Sequence, residues 1–196
     1  LDLLLYAGRI VSEPDLSLPH PGLRERRFVL EPLLELEPLL RAGSRLVVRL
    51  RTMSQPVIAA VNGAAAGAGM NIALACDFRI ASEQAVFGQN FARVGLFPDY
   101  GGTYLLPRLV GPARAAEMFY TGEMIDAREA ERIGAVDRVV PHDRVLAEAL
   151  ALAQRVAQGP PLAARAVKGA LYGVEREALE RALEFEMETQ MKCFLS

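Results

Sequence analysis

The period of the hydrophobic pattern changes along this chain, and the sharpest change lies near its middle. Pro56 opens the run Val57, Ile58, Ala59, Ala60, Val61, which is apolar at every position instead of alternating. A run of that kind predicts a strand buried on both faces of a parallel sheet covered by helices. Asn62 and Gly63 turn the chain, residues 64–69 hold nothing larger than a methyl group, and from Met70 the pattern MNIALAC is helical. Strand, small-residue loop and helix N-terminus therefore follow one another directly. Small residues let a ligand approach the backbone, and the first N–H groups of a helix lack an internal acceptor. With the positive end of the helix dipole, those groups suit an oxyanion or a phosphate. Close packing of a helix on a sheet accounts for the same residues, and composition does not choose between the two.

The second half of the chain reads as mostly helical. Gly111 and Pro112 open a helix running to Tyr120. Asp126 caps residues 127–133, with Glu129 three positions on as a capping box and Gly134 as the stop. Asp143 is expected to cap a helix that places Leu146, Leu150, Ala153 and Ala157 on one face. Gly159, Pro160 and Pro161 break it, and residues 162–172 form another helix. The last helix, from Glu175 to about Phe194, carries Leu179, Leu183, Met187 and Met191 at i, i+4 spacing, a stripe for a core or a subunit interface. Before the middle strand the pattern is ambiguous: Leu46, Val47 and Val48 favour a strand by propensity, and the sequence alone does not decide between strand and helix there.

Composition narrows the classes. The chain has 196 residues, enough for one sizeable core, and a formal charge of −2 that gives no reason to expect nucleic acid or an anionic membrane as partner. No apolar run approaches the roughly 20 residues needed to span a bilayer, and no basic-then-apolar leader opens the sequence at Leu1. Cys76 and Cys193 lie far apart, so a reduced, cytoplasmic protein is expected. His20 and His142 stand without clustered cysteines or acids, which argues against a zinc site. Two phosphate-binding motifs are also excluded. Gly63, Gly67 and Gly69 are spaced GxxxGxG, unlike a dinucleotide fingerprint, and no Gly-Lys-Ser/Thr follows.

The candidate chemistry gathers downstream of the loop. Between residues 54 and 103 the acids are Asp77, Glu83 and Asp99. Asp77 follows the helix and is expected to tie down its end, and Glu83 sits in a polar Ser-Glu-Gln loop. Asp99 is flanked by Pro98 and by Gly101 and Gly102 in the stretch GLFPDYGGT, a setting that holds a carboxylate on an irregular loop.

PVIAAVNG, the Gly/Ala loop, ALACDFRIAS, FGQ, GLFPDYGGT, LPRLVG and TGEMIDAREAERIGAVDRVVP succeed one another in an order that resembles the crotonase (enoyl-CoA hydratase/isomerase) superfamily from about residue 45 to the end. The resemblance implies an α/β fold of the crotonase or ClpP type, a partial spiral core with C-terminal helices. It implies an acyl-CoA thioester as substrate, no permanently bound cofactor beyond the coenzyme A of that substrate, and a trimer or hexamer. The backbone N–H groups of Ala68 and the adjacent Gly67 would form the oxyanion hole for the thioester oxygen. Hydratases of the family carry glutamates where Asn71 and Phe91 stand, whereas Asp99 falls where related isomerases keep a catalytic aspartate. Asn71, Phe91, Gly101 and Gly102 would line the substrate pocket. A double-bond or ring-epoxide isomerase is therefore expected, with phenylacetyl-CoA breakdown among the settings of such enzymes. A carboxylate lifted by Leu96, Phe97 and the acyl chain could both take and give a proton.

Residues 1–44 fall outside that pattern. LDLLLYAGRIVSEPDLSLPHPGLRERRFVLEPLLELEP resembles the C-terminal part of hydroxymethyl-dihydropterin pyrophosphokinases, with Asp2 on a magnesium aspartate and His20, Arg26 and Phe28 on positions associated with ATP and pterin. The expectation is a chimera: a pyrophosphokinase remnant, then a crotonase-like domain, residues 45–196, lacking its N-terminal part and one oxyanion donor. A non-catalytic chimeric fragment and a folate-pathway remnant remain alternatives to the isomerase.

Overall fold

The computed structural model describes residues 11–13, 16–18 and 27–194, with side-chain surroundings from residue 36 onward. A two-stranded antiparallel ribbon, β1 (Val11–Glu13) and β2 (Leu16–Leu18), precedes a long helix, α1 (Arg27–Thr52). That helix runs unbroken through residues 44 and 45. It resolves the ambiguity at Leu46 to Val48 in favour of helix, because one face of this stretch is buried: Val47 is fully enclosed while Leu46 is exposed. Enclosing a valine contributes about 1.5–3 kcal/mol, more than the small β preference of the branched side chain.

Two small sheets form the centre. In the first, β3 (Ile58–Val61), β5 (Phe78–Ser82) and β8 (Arg138–Val140) are parallel in the order β3-β5-β8. In the second, β4 (Ala65–Ala66) pairs parallel with β6 (Val86–Gly88), which pairs antiparallel with β7 (Met124–Asp126). The expectation that residues 57–61 are buried on both faces does not hold. β3 lies at the edge of its sheet, so Ala60 is exposed and its neighbours are half-buried, while the central β5 is buried from Arg79 onward. The helix placed from Met70 begins at Ala68 as α2 (Ala68–Ala75), and the loop before it is shorter because β4 takes two of its residues.

The remaining helices are α3 (Gly102–Val110), α4 (Pro112–Thr121), α5 (Ala127–Arg132), α6 (Val145–Ala157), α7 (Pro161–Tyr172) and α8 (Arg176–Phe194). Asp126 caps α5 through its Oδ1, which accepts the Glu129 N–H at 2.8 Å, and Gly134 follows at φ 85°. The box is only half made, since the Glu129 carboxylate turns to Arg114 at 2.8 Å and Arg132 at 2.6 Å. Asp143 is not the cap of α6; it lies in a 3-10 turn, and no side chain caps that helix. The buried face of α6 is also rotated from the one expected. Val145 and Ala149 pack under Ile80 and Val140, leaving Leu146 and Leu150 exposed.

The main core joins Val47, Met70, Leu74, Phe87, Leu105, Leu106, Met118, Leu179 and Leu183. On α8, Leu179, Leu183 and Met187 are buried as the stripe requires. Asp77 ties down the start of β3 instead of the end of α2. Its Oδ2 accepts the Val57 N–H at 2.7 Å and pairs with Lys168 Nζ at 2.7 Å, with side-chain exposures of 9% and 4%. Lys168 also donates to the Gln55 carbonyl at 2.9 Å, so a buried cation pins α7 to the strand.

Candidate active site

The start of α2 is shaped by Gly67, at φ 53° and ψ −121°, a conformation that disfavours side chains. A Cβ there would also meet the Phe91 ring at 3.1 Å. The Gly67 N–H donates to the Gly88 carbonyl at 2.8 Å, so it is not available to a ligand, a correction to the expectation that it shares the oxyanion hole. Ala68 differs. The first turn of the helix closes from the Asn71 N–H to the Gly67 carbonyl at 3.0 Å, and the helix itself offers no acceptor to the N–H groups of Ala68, Gly69 and Met70.

One turn further on, Asn71 is completely buried and links that helix to the Asp99 loop. Its Nδ2 donates to the Asp99 carbonyl at 2.7 Å, and its Oδ1 accepts from Gln89 Nε2 at 2.6 Å. Three helical residues span about 4.5 Å of axis, so the Asp99 loop is bonded to α2 within a turn of Ala68. Gly102 lies over the Asn71 amide, where a Cβ would come within 2.5 Å of Nδ2. Phe91 is buried against Gly67 and forms an apolar wall there. Gly101 adopts φ 79° between Leu105, Val47 and Leu179. Asn71 and Gly102 therefore build the support of the site, and Gly101 its turn.

Asp99 is 8% exposed, and burial pushes its carboxyl up to about 6, opposed by the Gln190 amide. Oδ2 accepts from Gln190 Nε2 at 3.4 Å, whereas Oδ1 is buried with no hydrogen-bond partner among the described residues. The loop is held from several sides. Tyr100 adopts a positive φ of 50°, and its ring lies where a Cβ on Gly43 of α1 would stand, 2.1 Å from the ring carbons. Phe97 meets Phe185 of α8 edge to face at 5.9 Å.

Two residues bonded to this loop were not singled out from the sequence: Glu186 and Gln190, both 1% exposed on α8. Glu186 accepts from the Gly101 N–H at 2.7 Å, the Thr103 N–H at 2.9 Å and the Thr103 hydroxyl at 2.5 Å. Burial still lifts it to about 7, with the nearby Asp99 charge adding to the rise. Gln190 Oε1 accepts the Phe97 N–H at 2.7 Å. Their signal was present in the sequence: positions 186 and 190 fall in phase with the Leu179, Leu183, Met187 stripe, so polar residues stand where the helix is buried. Asp2, His20 and Arg26 lie outside the described residues, as does the side chain of Phe28. A separate 170 Å³ cavity between α1, α3 and α7, bordered by Arg51, Arg79, Tyr104 and Tyr172, is lined by none of Ala68, Asn71, Phe91, Asp99, Glu186 and Gln190. No group of acids, histidines and cysteines able to hold a metal ion occurs among the described residues, and no helix among them is long and apolar enough to cross a membrane.

Comparison with known proteins places the chain in a family. The family model described as enoyl-CoA hydratase/isomerase matches residues 39–196, and the chain belongs to that family. Its fold is that of the crotonases. The structure of an enoyl-CoA hydratase from Mycobacterium avium subsp. paratuberculosis K-10 superposes with a TM-score of 0.79 at 35% identity, over 84% of this chain and 68% of that one. A crotonyl-CoA hydratase from Syntrophomonas wolfei is 41% identical over 152 residues, 78% of this chain and 58% of the relative. A 2,3-dehydroadipyl-CoA hydratase from Escherichia coli is 43% identical over 142 residues, 72% and 56% respectively. The chain thus spans a little over half the length of these two curated relatives.

Proposed function

We propose that this site moves a proton between carbons of a CoA thioester, as a double-bond or ring-epoxide isomerase, with Asp99 as the proton carrier and the Ala68 N–H as an oxyanion donor. One observation carries the reading: Asp99 Oδ1 is buried and without a hydrogen-bond partner among the described residues, while its other oxygen and its carbonyl are tied down. In the first step Oδ1 takes a proton from the carbon between the thioester carbonyl and the double bond, and the electron pair moves onto the thioester oxygen. The Ala68 N–H stabilises the resulting enolate, a contribution on the order of 3 kcal/mol for one such donor. In the second step the protonated carboxyl returns the proton to the distal carbon, and the enolate collapses to the conjugated thioester. A carboxyl near 6 suits both steps, because neither protonation state is remote at neutral pH. No permanent cofactor is needed; coenzyme A enters with the substrate.

The relatives' names favour a second reading, hydration of a 2-enoyl-CoA. Hydratases of this family use two glutamates, and here Asn71 has both its amide atoms engaged in the fold while Phe91 offers only a ring. A third reading is a non-catalytic member of the family. Residues 1–44 are proposed as a remnant with a pyrophosphokinase-like sequence, on the resemblance of those residues alone; α1 carries the end of that stretch unbroken into the part that follows. A homo-oligomer in solution, cytoplasmic and built from such chains, completes the proposal; strongly exposed apolar side chains such as Val174 and Tyr120 support it. The test compares 3-enoyl-CoA isomerisation with crotonyl-CoA hydration by the purified chain. Isomerisation without hydration is expected. Hydration at a comparable rate overturns the isomerase assignment, and loss of both reactions leaves the non-catalytic reading.

A further inference from the structure

We infer that Gln190 is the positioning residue for Asp99, and that with Glu186 one turn before it makes α8 the element that decides which oxygen of Asp99 carries the proton. The role rests on Asp99 being the proton carrier, but the arrangement is visible without substrate.

The argument starts from the two ends of one amide. The Phe97 N–H, 2.7 Å from Gln190 Oε1, can be received only by the carbonyl end of that side chain. The amide orientation is therefore fixed by the backbone, and its NH₂ end is left to face Asp99 Oδ2 at 3.4 Å. Oδ2 is occupied and Oδ1 is not. A proton can arrive at Oδ1 and leave again while Oδ2 continues to accept from Gln190, so neither protonation state forces Gln190 to move. A carboxylate free to rotate would offer either oxygen and lose the alignment of the other.

Glu186 completes the grip. Residues four apart on a helix lie on one face with Cβ atoms about 5–6 Å apart, so Glu186 and Gln190 reach the two sides of one loop. Gln190 takes its beginning at Phe97, and Glu186 takes its end at Gly101 and Thr103. The hydrogen bonds that Glu186 accepts come from Gly101 and Thr103, which suits it to holding the loop. The titratable groups facing Asp99 are Glu186 from α8 and Tyr100 from its own loop. Asp99 makes no ion pair with a lysine or arginine among the described residues, so Gln190 is the principal group favouring its ionised form.

The test follows the Asp99 carboxyl by its carbon NMR resonance as pH is changed, assigned by comparison with Asp99→Asn, in the chain as it stands and without substrate. Gln190→Leu keeps the bulk and removes the donor. Its Asp99 midpoint should rise by about one pH unit, the lower end of what a hydrogen bond to a charged group supports. Gln190→Glu should place a second carboxyl against Oδ2 and split the titration into two coupled steps. In the unaltered chain, the Gln190 side-chain amide resonances should move with the same midpoint as the Asp99 carboxyl. A Gln190 with a merely structural role would lower stability and leave the Asp99 titration where it was. Unchanged Asp99 midpoints in the folded variants overturn the inference. If neither variant folds, a Gln190 amide signal that does not follow the Asp99 titration overturns it. A shifted midpoint in a chain without isomerase activity would instead count against the proposed function while still showing that Gln190 holds the Asp99 carboxyl.

Discussion

Gly102→Ala, set beside Gly69→Ala, isolates the contact that joins α2 to the Asp99 loop. Both glycines lie in helices, yet their surroundings are opposite. A Cβ on Gly102 would meet Asn71 Nδ2 at 2.5 Å and its Cγ and Oδ1 at 2.9 Å; a Cβ on Gly69 meets nothing within 4 Å. Asn71 is fully buried and held at both ends, so it has no free direction in which to give way. Overpacking of this kind costs about 1–3 kcal/mol. Losing either Asn71 hydrogen bond leaves a buried polar group unsatisfied, a further ~1–3 kcal/mol. Because one strain causes both, roughly 2–4 kcal/mol of destabilisation is expected for Gly102→Ala. Gly69→Ala replaces an exposed helical glycine and should stabilise by about 0.5–1 kcal/mol. Urea unfolding followed by circular dichroism measures both, with the midpoint falling for the first and rising slightly for the second at unchanged slope. Equal effects, or a Gly102→Ala chain within 0.5 kcal/mol of the parent, would refute the reasoning that close approach to Asn71 dictates this glycine.

Two further expectations concern charge. Lys168→Met strands the Asp77 carboxylate in a buried setting and should cost about 3–5 kcal/mol in the same unfolding assay, with Lys168→Arg recovering part of it; a neutral Lys168→Met would show that the pair is solvated. Stability should also fall as pH rises. Asp99 at about 6 and Glu186 at about 7 both exceed their ordinary values of 3.8 and 4.5, so the folded chain holds these protons more tightly than the unfolded one. Their contribution is fully present below about pH 4 and is lost as pH climbs through 6 to 7, with a slope of at most ~1.4 kcal/mol per pH unit for each group. Unfolding midpoints at pH 5 should exceed those at pH 8, and Glu186→Gln should flatten the trend; a midpoint higher at pH 8 contradicts it.

Much of the scaffold was legible because its signals are local. Asp126 and Gly134 mark α5, Gly111 and Pro112 open α4, and the stripe on α8 shows its buried face through spacing alone. What failed depended on neighbours. Whether the apolar run at 57–61 is enclosed is decided by its edge place in the sheet, which no window of sequence contains. The face of α6 was misread because alanine and leucine both suit either side of a helix, and the packing of Ile80 and Val140 chose Ala149 over Leu150. In the site, Asp99 stood out by its Pro and Gly flanks, but its environment comes from Gln190, 91 positions later. Gly67 was expected in the oxyanion hole on the family resemblance, and only the pairing of β4 with β6 brings the Gly88 carbonyl onto its N–H.

The central claim is that Asp99 carries the proton, and Asp99→Asn tests it most directly. The substitution keeps size and the Gln190 contact while removing the base. Measured on a 3-enoyl-CoA, isomerisation should fall roughly 10²–10⁴-fold, as for loss of a general base, with affinity for the CoA ester hardly changed. An Asp99→Asn chain that isomerises at the parental rate would contradict the account and reduce Asp99 to a buried residue that shapes its loop.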